Sequence, residues 1–274
     1  MGTLFVVATP IGNLEDITLR ALRVLREVGT VAAEDTRHTR RLLTHFGIGT
    51  PLVAFHAHSG PARLEHVLRL LATGDVALVT DAGTPAVSDP GQALVDAALA
   101  AGHVVSPIPG PSALTAAVSA SGLVPGPFVF AGFLPRKPGE RRRQLAALAA
   151  TGLPLVVYEA GNRAASTLAD LAEATGDRQA ALCRELTKVH EEIRRAALPD
   201  LATSAAASEP RGELVIVVAG GEPAAEPWDD DRVAALVAEL RATGLSRSAT
   251  AKEVAARAGV DRSEAYRLAG LPVE

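Results

Sequence analysis

The chain has 274 residues, a formal net charge of −4 and one cysteine, Cys183, with 48% hydrophobic, 21% charged and only 3% aromatic residues. A single cysteine excludes a disulfide framework and a cysteine-based zinc site, and the acidic balance argues against a protein that coats nucleic acid through charge alone. No apolar run approaches the roughly 20 residues of a bilayer span, and no charged segment followed by an apolar run suggests a signal peptide, so a cytoplasmic protein is expected.

The first apolar run, Leu4–Ala8, reads as a strand that leads into the Pro- and Gly-containing segment Thr9–Asp16. Leu19, Leu22, Leu25 and Val28 then form a helical stripe. Further strands are predicted at Val31–Ala33, Leu52–Phe55, Val76–Thr80 and Val104–Val105. Helical patterns fall on Leu64, Val67, Leu68, Leu71 and on Leu94, Val95, Ala98, Leu99. This βαβα rhythm predicts a mainly parallel sheet with helices on both faces, over residues 1–122. Leu123-Val124-Pro125-Gly126-Pro127 interrupts it, because proline lacks a donor and fixes φ.

A second α/β domain is expected over 123–223, with strands at Phe128–Ala131, Pro154–Tyr158, Gln179–Cys183, Glu191–Ala196 and Glu213–Val218. Only two helical patterns, Arg141–Ala150 and Arg163–Glu173, lie among them, which implies a mixed sheet. Gly220–Pro227 reads as a linker. The tail, 224–274, holds one amphipathic helix around Val233, Leu236, Val237 and Leu240 and two short ones, Ser248–Arg257 and Arg262–Leu268. Gly259 fits a helix end and Asp261 or Ser263 a helix start, in helix-turn-helix spacing. Such a tail serves either as a helical cap or as a nucleic-acid contact. Arg136, Lys137, Arg141, Arg142 and Arg143 make the one dense basic run, which reads as a solvated loop or as a phosphate-binding surface.

Three loops share one character: Thr9–Asp16, Thr80–Gly91 and Pro107–Ala113. Each follows a strand and precedes a helix, so a parallel sheet places all three at its carboxyl edge, where open α/β folds bind ligands. They contain no G-x-G-x-x-G, no Walker pattern and no lysine. They offer carbonyls, small side chains, Thr84 or Ser112 hydroxyls and the acids Asp81 and Asp89. That chemistry suits a neutral nucleoside joined to a cation, such as S-adenosylmethionine.

The motifs Thr9-Pro10-Ile11-Gly12-Asn13-Leu14, Ala33-Glu34-Asp35-Thr36-Arg37, Asp81-Ala82-Gly83-Thr84-Pro85 and Pro109-Gly110-Pro111-Ser112-Ala113 resemble the tetrapyrrole methylase superfamily, the class III methyltransferases. Gly132–Lys137, Arg184–Lys188 and Ser263–Leu268 resemble its branch that methylates a cytidine ribose 2′-oxygen in the decoding region of 16S rRNA. The resemblance implies two α/β domains of tetrapyrrole-methylase type with a cofactor cleft between them, a small C-terminal helical region, and a homodimer. It implies S-adenosylmethionine contacts at Ile11, Gly12, Asp81, Ala82, Gly83, Thr84, Val87, Ser112, Ala113, Glu159 and Leu186. The segment Phe55-His56-Ala57-His58-Ser59 departs from the branch's Tyr-His-x-His-Asn at its first and last residues.

Displacement at a sulfonium requires alignment and, for a ribose hydroxyl, a base or a polarising cation, but no metal. Asp35 is a candidate base and Arg37 a candidate oxyanion or phosphate partner, with helix capping and a structural ion pair as the competing roles. His190 and Lys188 are further candidates. Arg136, Lys137 and Arg141 to Arg143 are the expected phosphate contacts of a small-subunit rRNA partner. The rival readings are a tetrapyrrole C-methyltransferase, which needs neither the basic run nor the tail, and a non-catalytic RNA-binding module.

Overall fold

The computed structural model describes residues 1–210, 212–221, 230–258, 262–268 and 270. Met1–Glu222 forms one compact unit and Pro223–Glu274 a second. In the first unit, β1 (Thr3–Val7), β2 (Thr30–Ala33), β3 (Leu52–Ala54), β4 (Val76–Val79) and β5 (Val104–Ile108) make a five-stranded sheet in the order β3-β2-β4-β1-β5. Every pairing in it is parallel. Strands of such a sheet are covered on both faces and read as continuous apolar runs; β2 and β4 are buried at every position.

Alternation along the strands divides this core in two. Val31, Ala33, Ala77 and Val79 face helices α1 (Leu19–Glu27) and α2 (Thr36–His45), meeting Val24, Leu25 and Leu43. Leu4, Ala32, Val76 and Leu78 face α3 (Pro61–Thr73) and α4 (Gln92–Ala100), meeting Val67, Leu71, Leu94 and Ala98. Leu19 departs from its expected place on the buried stripe: it is 86% exposed, and Ala21, Val24, Leu25 and Val28 form the covered face instead. Leu19 opens the helix, before its first turn has rotated onto the sheet.

The second sheet contains β6 (Val129–Phe133), β7 (Leu155–Ala160), β8 (Gln179–Arg184), β9 (Glu192–Ala197) and β10 (Glu213–Val218), in the order β6-β7-β10-β8-β9. Only β6 and β7 pair in parallel; the other pairs are antiparallel. Leu155, Val157, Leu214 and Ile216 face α6 (Pro138–Ala149), α7 (Ala164–Thr175) and α8 (Leu198–Ala207). Val156, Cys183, Val215 and Val217 face the other way, onto α5 (Ala113–Ser121) through Ala117. Thus α5 follows the last strand of the first sheet in sequence but packs on the second sheet.

Helices α2, α5 and α8 are absent from the periodicity reading. The α2 sequence TRHTRRLLTH carries few apolar residues, while α5 (ALTAAVSAS) and α8 (LPDLATSAAA) are built largely from small ones. Alanine favours helix without marking a face, so packing reveals what the pattern leaves blank.

The second unit contains α9 (Asp230–Ala242), α10 (Arg247–Ala258) and α11 (Arg262–Leu268). Val233, Leu236, Val237 and Leu240 pack with Ala251, Val254, Ala258 and Ala265 into its own core. The Arg247 guanidinium lies 4.4 Å from the Tyr266 ring centroid and donates to the Tyr266 carbonyl, joining α10 to α11. Gly259 and Asp261, expected at the turn, and most of the linker, residues 222–229, lie outside the described residues.

Candidate active site

The loops after β1, β4 and β5 meet at the carboxyl edge of the parallel sheet and are joined to one another. Thr9 and Gly83 exchange both backbone hydrogen bonds, at 2.9 and 3.0 Å. The Thr9 hydroxyl donates to the Thr80 carbonyl at 3.1 Å, and the Thr84 hydroxyl to the Pro111 carbonyl at 3.3 Å. At the end of β2, the Asp35 N–H donates to Asp81 Oδ1 at 3.1 Å, while the Asp81 N–H donates to Glu34 Oε2 at 3.3 Å. These bonds hold four chain segments in one frame.

Above that edge lies a cavity of about 270 Å³. One wall comes from Ile11, Glu34, the segment Asp81–Thr84, Val87–Asp89, Ser112 and Ala113. The opposite wall comes from the second sheet: Phe133, Tyr158, Cys183, Glu213, Val215 and the loop residues Glu185, Leu186 and Lys188. Backbone strain concentrates here. The described non-glycine residues with positive φ are Ala86 (68°), Ser88 (62°), Glu185 (51°) and Thr187 (67°), all in the two loops that bound the cavity. Each such conformation costs on the order of 1–3 kcal/mol and persists only where its surroundings dictate it. Gly132, at φ 60° beside the β6 bulge, lets the Ser88 loop approach: a Cβ there would stand 2.6 Å from Ser88 Oγ.

Most expected cofactor residues converge on this cavity. Ile11, Asp81, Ala82, Gly83, Thr84, Val87, Ser112, Ala113 and Leu186 all line it. Gly12 does not. It sits where the first loop passes the Leu186–Lys188 loop, and a Cβ on it would meet Lys188 Cγ at 2.5 Å and the Leu186 carbonyl at 3.0 Å. Glu159 is placed differently from expectation. It is fully buried on the other side of β7, where its carboxylate accepts from Thr167 Oγ1 at 2.6 Å and pairs with Arg163 at 3.3 Å. The reason is the two-residue period of a strand: Leu155, Val157 and Glu159 share one face, and Tyr158 faces the cavity. The phenol oxygen of Tyr158 accepts from the Leu114 N–H at 3.0 Å, in the first turn of α5, where Ser112 supplies no side-chain cap.

The expected catalytic trio is not gathered there. Asp35 caps α2 by accepting from the Arg37 N–H at 2.8 Å and forms a 2.7 Å ion pair with the Arg37 guanidinium. That guanidinium holds the Asp35 carboxyl well below the usual carboxylate range, which makes it a weak base. Arg37 is mostly exposed, and His190 is an exposed turn residue. None of the three lines the cavity. The basic run also divides. Arg141 is buried and bonded to the buried Asp170 carboxylate at 2.6 Å, so it is a structural group and not a phosphate contact. Arg142 pairs with Asp170 at 2.9 Å and Lys137 with Glu140 at 3.2 Å, whereas Arg136 and Arg143 are exposed without an ion pair among the described residues.

Other groups carry the cavity's electrostatics. Glu34, Asp81, Asp89, Glu185 and Glu213 face it, and Lys188, the lining cation among the described residues, is paired with Glu185 at 3.0 Å. Burial pushes the Asp89 carboxyl up to about 6, reinforced by the charges of Glu34, Glu213 and Asp81. Burial also raises Glu34, against the Asp81 N–H that favours its ionised form. Burial raises the Tyr158 phenol, and pushes the Cys183 thiol up to about 11, so the latter is no thiolate nucleophile. Glu34 and Asp89 lie inside motifs that the sequence displays, but their burial is a tertiary property. Val215 and Cys183 enter only because β10 and β8 cross beneath the loops.

A negative cavity with apolar patches at Ile11, Val87, Leu186 and Val215, and with small residues that admit close approach, fits a nucleoside carrying a positive charge. His56 and His58 are exposed, and among the described residues no group of three or more His, Cys, Asp or Glu side chains is arranged to hold a metal.

This architecture, a parallel sheet whose edge loops face a mixed sheet across a cavity, is that of a known class: residues 3–202 match the family described as Tetrapyrrole (Corrin/Porphyrin) Methylases. The structure of cobalt precorrin-4 methyltransferase shares the fold at TM-score 0.61 and 18% identity, over 79% of this chain and 94% of that one. Uroporphyrin-III C-methyltransferase from Thermus thermophilus, solved with S-adenosyl homocysteine, shares it at TM-score 0.58 and 22% identity, over 80% and 97%. Among curated proteins the chain is 48% identical to ribosomal RNA small subunit methyltransferase I of Xylella fastidiosa, over 97% of this chain and 98% of that one. The Pseudomonas aeruginosa protein of the same name is 52% identical over 80% of this chain and 79% of its own length. The chain belongs to the family of ribosomal RNA small subunit methyltransferase I, within the tetrapyrrole methylases.

Proposed function

We propose that this chain methylates the ribose 2′-oxygen of a cytidine in the decoding region of 16S rRNA, with S-adenosylmethionine held in the cavity between the two sheets. The observation that carries the reading is 48% identity over 97% of the chain to a small-subunit rRNA methyltransferase, joined to a cavity whose charge suits a sulfonium. When bound, the cofactor supplies a methyl group open to in-line displacement. Ile11, Val87 and Leu186 would offer it apolar contact, and the Asp81–Thr84 segment would offer backbone polar groups. The carboxylates of Glu34, Asp81 and Asp89 would favour its positive charge over the neutral thioether product, which would favour exchange of product for fresh cofactor. The hydrogen bonds among the Thr9, Thr80, Thr84 and Asp81 loops fix these groups before binding, so alignment costs little reorganisation.

The rRNA meets Arg136 and Arg143 on the first unit and the helical second unit, and the assembled shape of the small subunit supplies specificity that an acidic protein's charge does not. The homodimer and the cytoplasmic location belong to the same reading and rest on the family resemblance. Among the described residues, no helix is long and apolar enough to cross a membrane. Labelled S-adenosylmethionine incubated with small subunits lacking the modification tests the reading, followed by mapping of the labelled nucleotide. Label on the cytidine ribose supports it. Label on a base, or on an added porphyrinoid and not on rRNA, overturns it.

A further inference from the structure

The segment that leaves β6 runs from the cavity rim to an exposed cation. Phe133 lines the cavity, Leu134 is buried, Pro135 is half-buried and Arg136 is exposed. Pro135 has no N–H of its own, and Lys137 gives α6 no side-chain cap. The turn is held from behind instead. Arg163 Nη2 donates to the Leu134 carbonyl at 3.0 Å and to the Pro135 carbonyl at 3.1 Å. Another nitrogen of the same guanidinium, Nε, lies 3.3 Å from Glu159 Oε1. Glu159 is fully buried, and its carboxylate also accepts from Thr167 Oγ1 at 2.6 Å and from the Ala160 N–H at 2.9 Å. Arg163 ends a one-turn helix, Gly161–Arg163, which Gly161 seats against the Pro210 carbonyl; a Cβ there would stand 1.9 Å from that oxygen. Neither Arg163 nor Glu159 lines the cavity.

We propose that Arg163 is a positioning residue for the substrate RNA: it fixes the Leu134-Pro135 turn so that Arg136 grips a phosphate beside the ribose that enters the cavity. The inference rests on the proposed rRNA methylation. Phe133 and Arg136 are three residues apart, so no more than about 10 Å of chain separates the rim from the basic residue. A nucleotide that presents its 2′-oxygen to the cavity has its own phosphates within that range. The planar fork of the Arg136 guanidinium suits two oxygens of one phosphate. A loose turn would leave Arg136 sampling many directions, and ordering it on contact would weaken RNA binding. A buried ion pair adds little net stability over an apolar filling of similar volume. What the Glu159–Arg163 pair supplies is direction, because it sets the guanidinium where one nitrogen meets two carbonyls of the turn.

The test uses the full chain and small subunits lacking the modification, with subunit affinity from filter binding and KM and kcat from transfer of labelled methyl. Arg163→Lys keeps a cation beside Glu159 but lacks the fork that spans from the carboxylate to both carbonyls. It raises the subunit Kd and KM by roughly three- to tenfold, more than it lowers kcat. Arg136→Ala raises them by roughly tenfold and reduces the slope of log affinity against log salt by about one; Arg163→Lys moves the slope in the same direction. The two changes are not additive: in an Arg136→Ala background, Arg163→Lys alters the Kd by less than about twofold. Glu159→Gln loosens the hold on Arg163, gives a smaller rise that also vanishes in that background, and serves as the second variant if Arg163→Lys folds poorly. A merely structural Arg163 predicts a lower melting temperature with equal fold-changes in both backgrounds, and that result overturns the proposal. So does an Arg163→Lys protein that binds subunits with wild-type affinity and salt dependence. A wild type that binds small subunits but places no label on rRNA overturns instead the function on which the proposal rests.

Discussion

Arg141 stands within the basic run, yet it is locked inside the fold, and this predicts a strong effect of a residue far from the cavity. The Arg141 and Asp170 side chains are each 5% exposed and meet at 2.6 Å, while Arg142, 57% exposed, reaches the other Asp170 oxygen at 2.9 Å. Asp170→Ala strands the Arg141 guanidinium without its partner, and breaking a buried pair in this way costs about 3–5 kcal/mol. In a unit of this size each kcal/mol lowers the melting temperature by ~2–4 °C, so a drop of roughly 6–20 °C is expected in thermal unfolding followed by circular dichroism. Arg143→Ala, by contrast, removes an exposed cation and moves stability by less than about 0.5 kcal/mol, while weakening binding to small subunits. Burial raises the Asp170 carboxyl, but the hydrogen bonds from Arg142 and Arg141 outweigh it, and the net direction is down. Its stabilising contribution is therefore complete above the unfolded carboxyl value of about 3.9 and is lost as pH falls through the folded value. An Asp170→Ala protein that melts within a degree of wild type refutes the assignment. So does an Arg141→Ala protein that keeps its melting temperature but loses rRNA affinity as Arg143→Ala does.

Asp35→Ala removes the α2 cap and its pairing with Arg37, which costs about 1 kcal/mol of stability; the methylation rate per folded molecule stays within a factor of about two, and a hundredfold loss would return Asp35 to the reaction. Gly132→Ala places a Cβ 2.6 Å from Ser88 Oγ at a φ of 60°, so cofactor affinity measured by calorimetry falls along with thermal stability. Deletion of residues 223–274 removes a unit with its own core; cofactor binding persists while affinity for the small subunit drops, and unchanged subunit affinity in filter binding would remove the tail from the rRNA surface.

Periodicity and punctuation made the backbone plan of both sheets legible. Runs such as Val76–Val79, buried at every position, announce parallel strands, and the Pro- and Gly-rich segments after β1, β4 and β5 mark the ligand edge before any coordinates exist. Strand topology then converts those separated loops into one wall. The motifs are also long enough to carry the family. What they leave undecided is which side chain of a motif faces the ligand. Glu34 and Asp35 are neighbours, yet one lines the cavity and the other caps a helix; Tyr158 and Glu159 are neighbours, yet one faces the cavity and the other an ion pair behind the sheet. Among adjacent arginines, Arg141 is buried and Arg143 is not. Sequence alone determined the strands, the helices with a marked apolar face, the ligand edge and the lineage, because these depend on patterns along the chain. Only the tertiary structure decided the site's chemistry, because the facing of a side chain, its burial and the charges opposite it are set by residues tens of positions away.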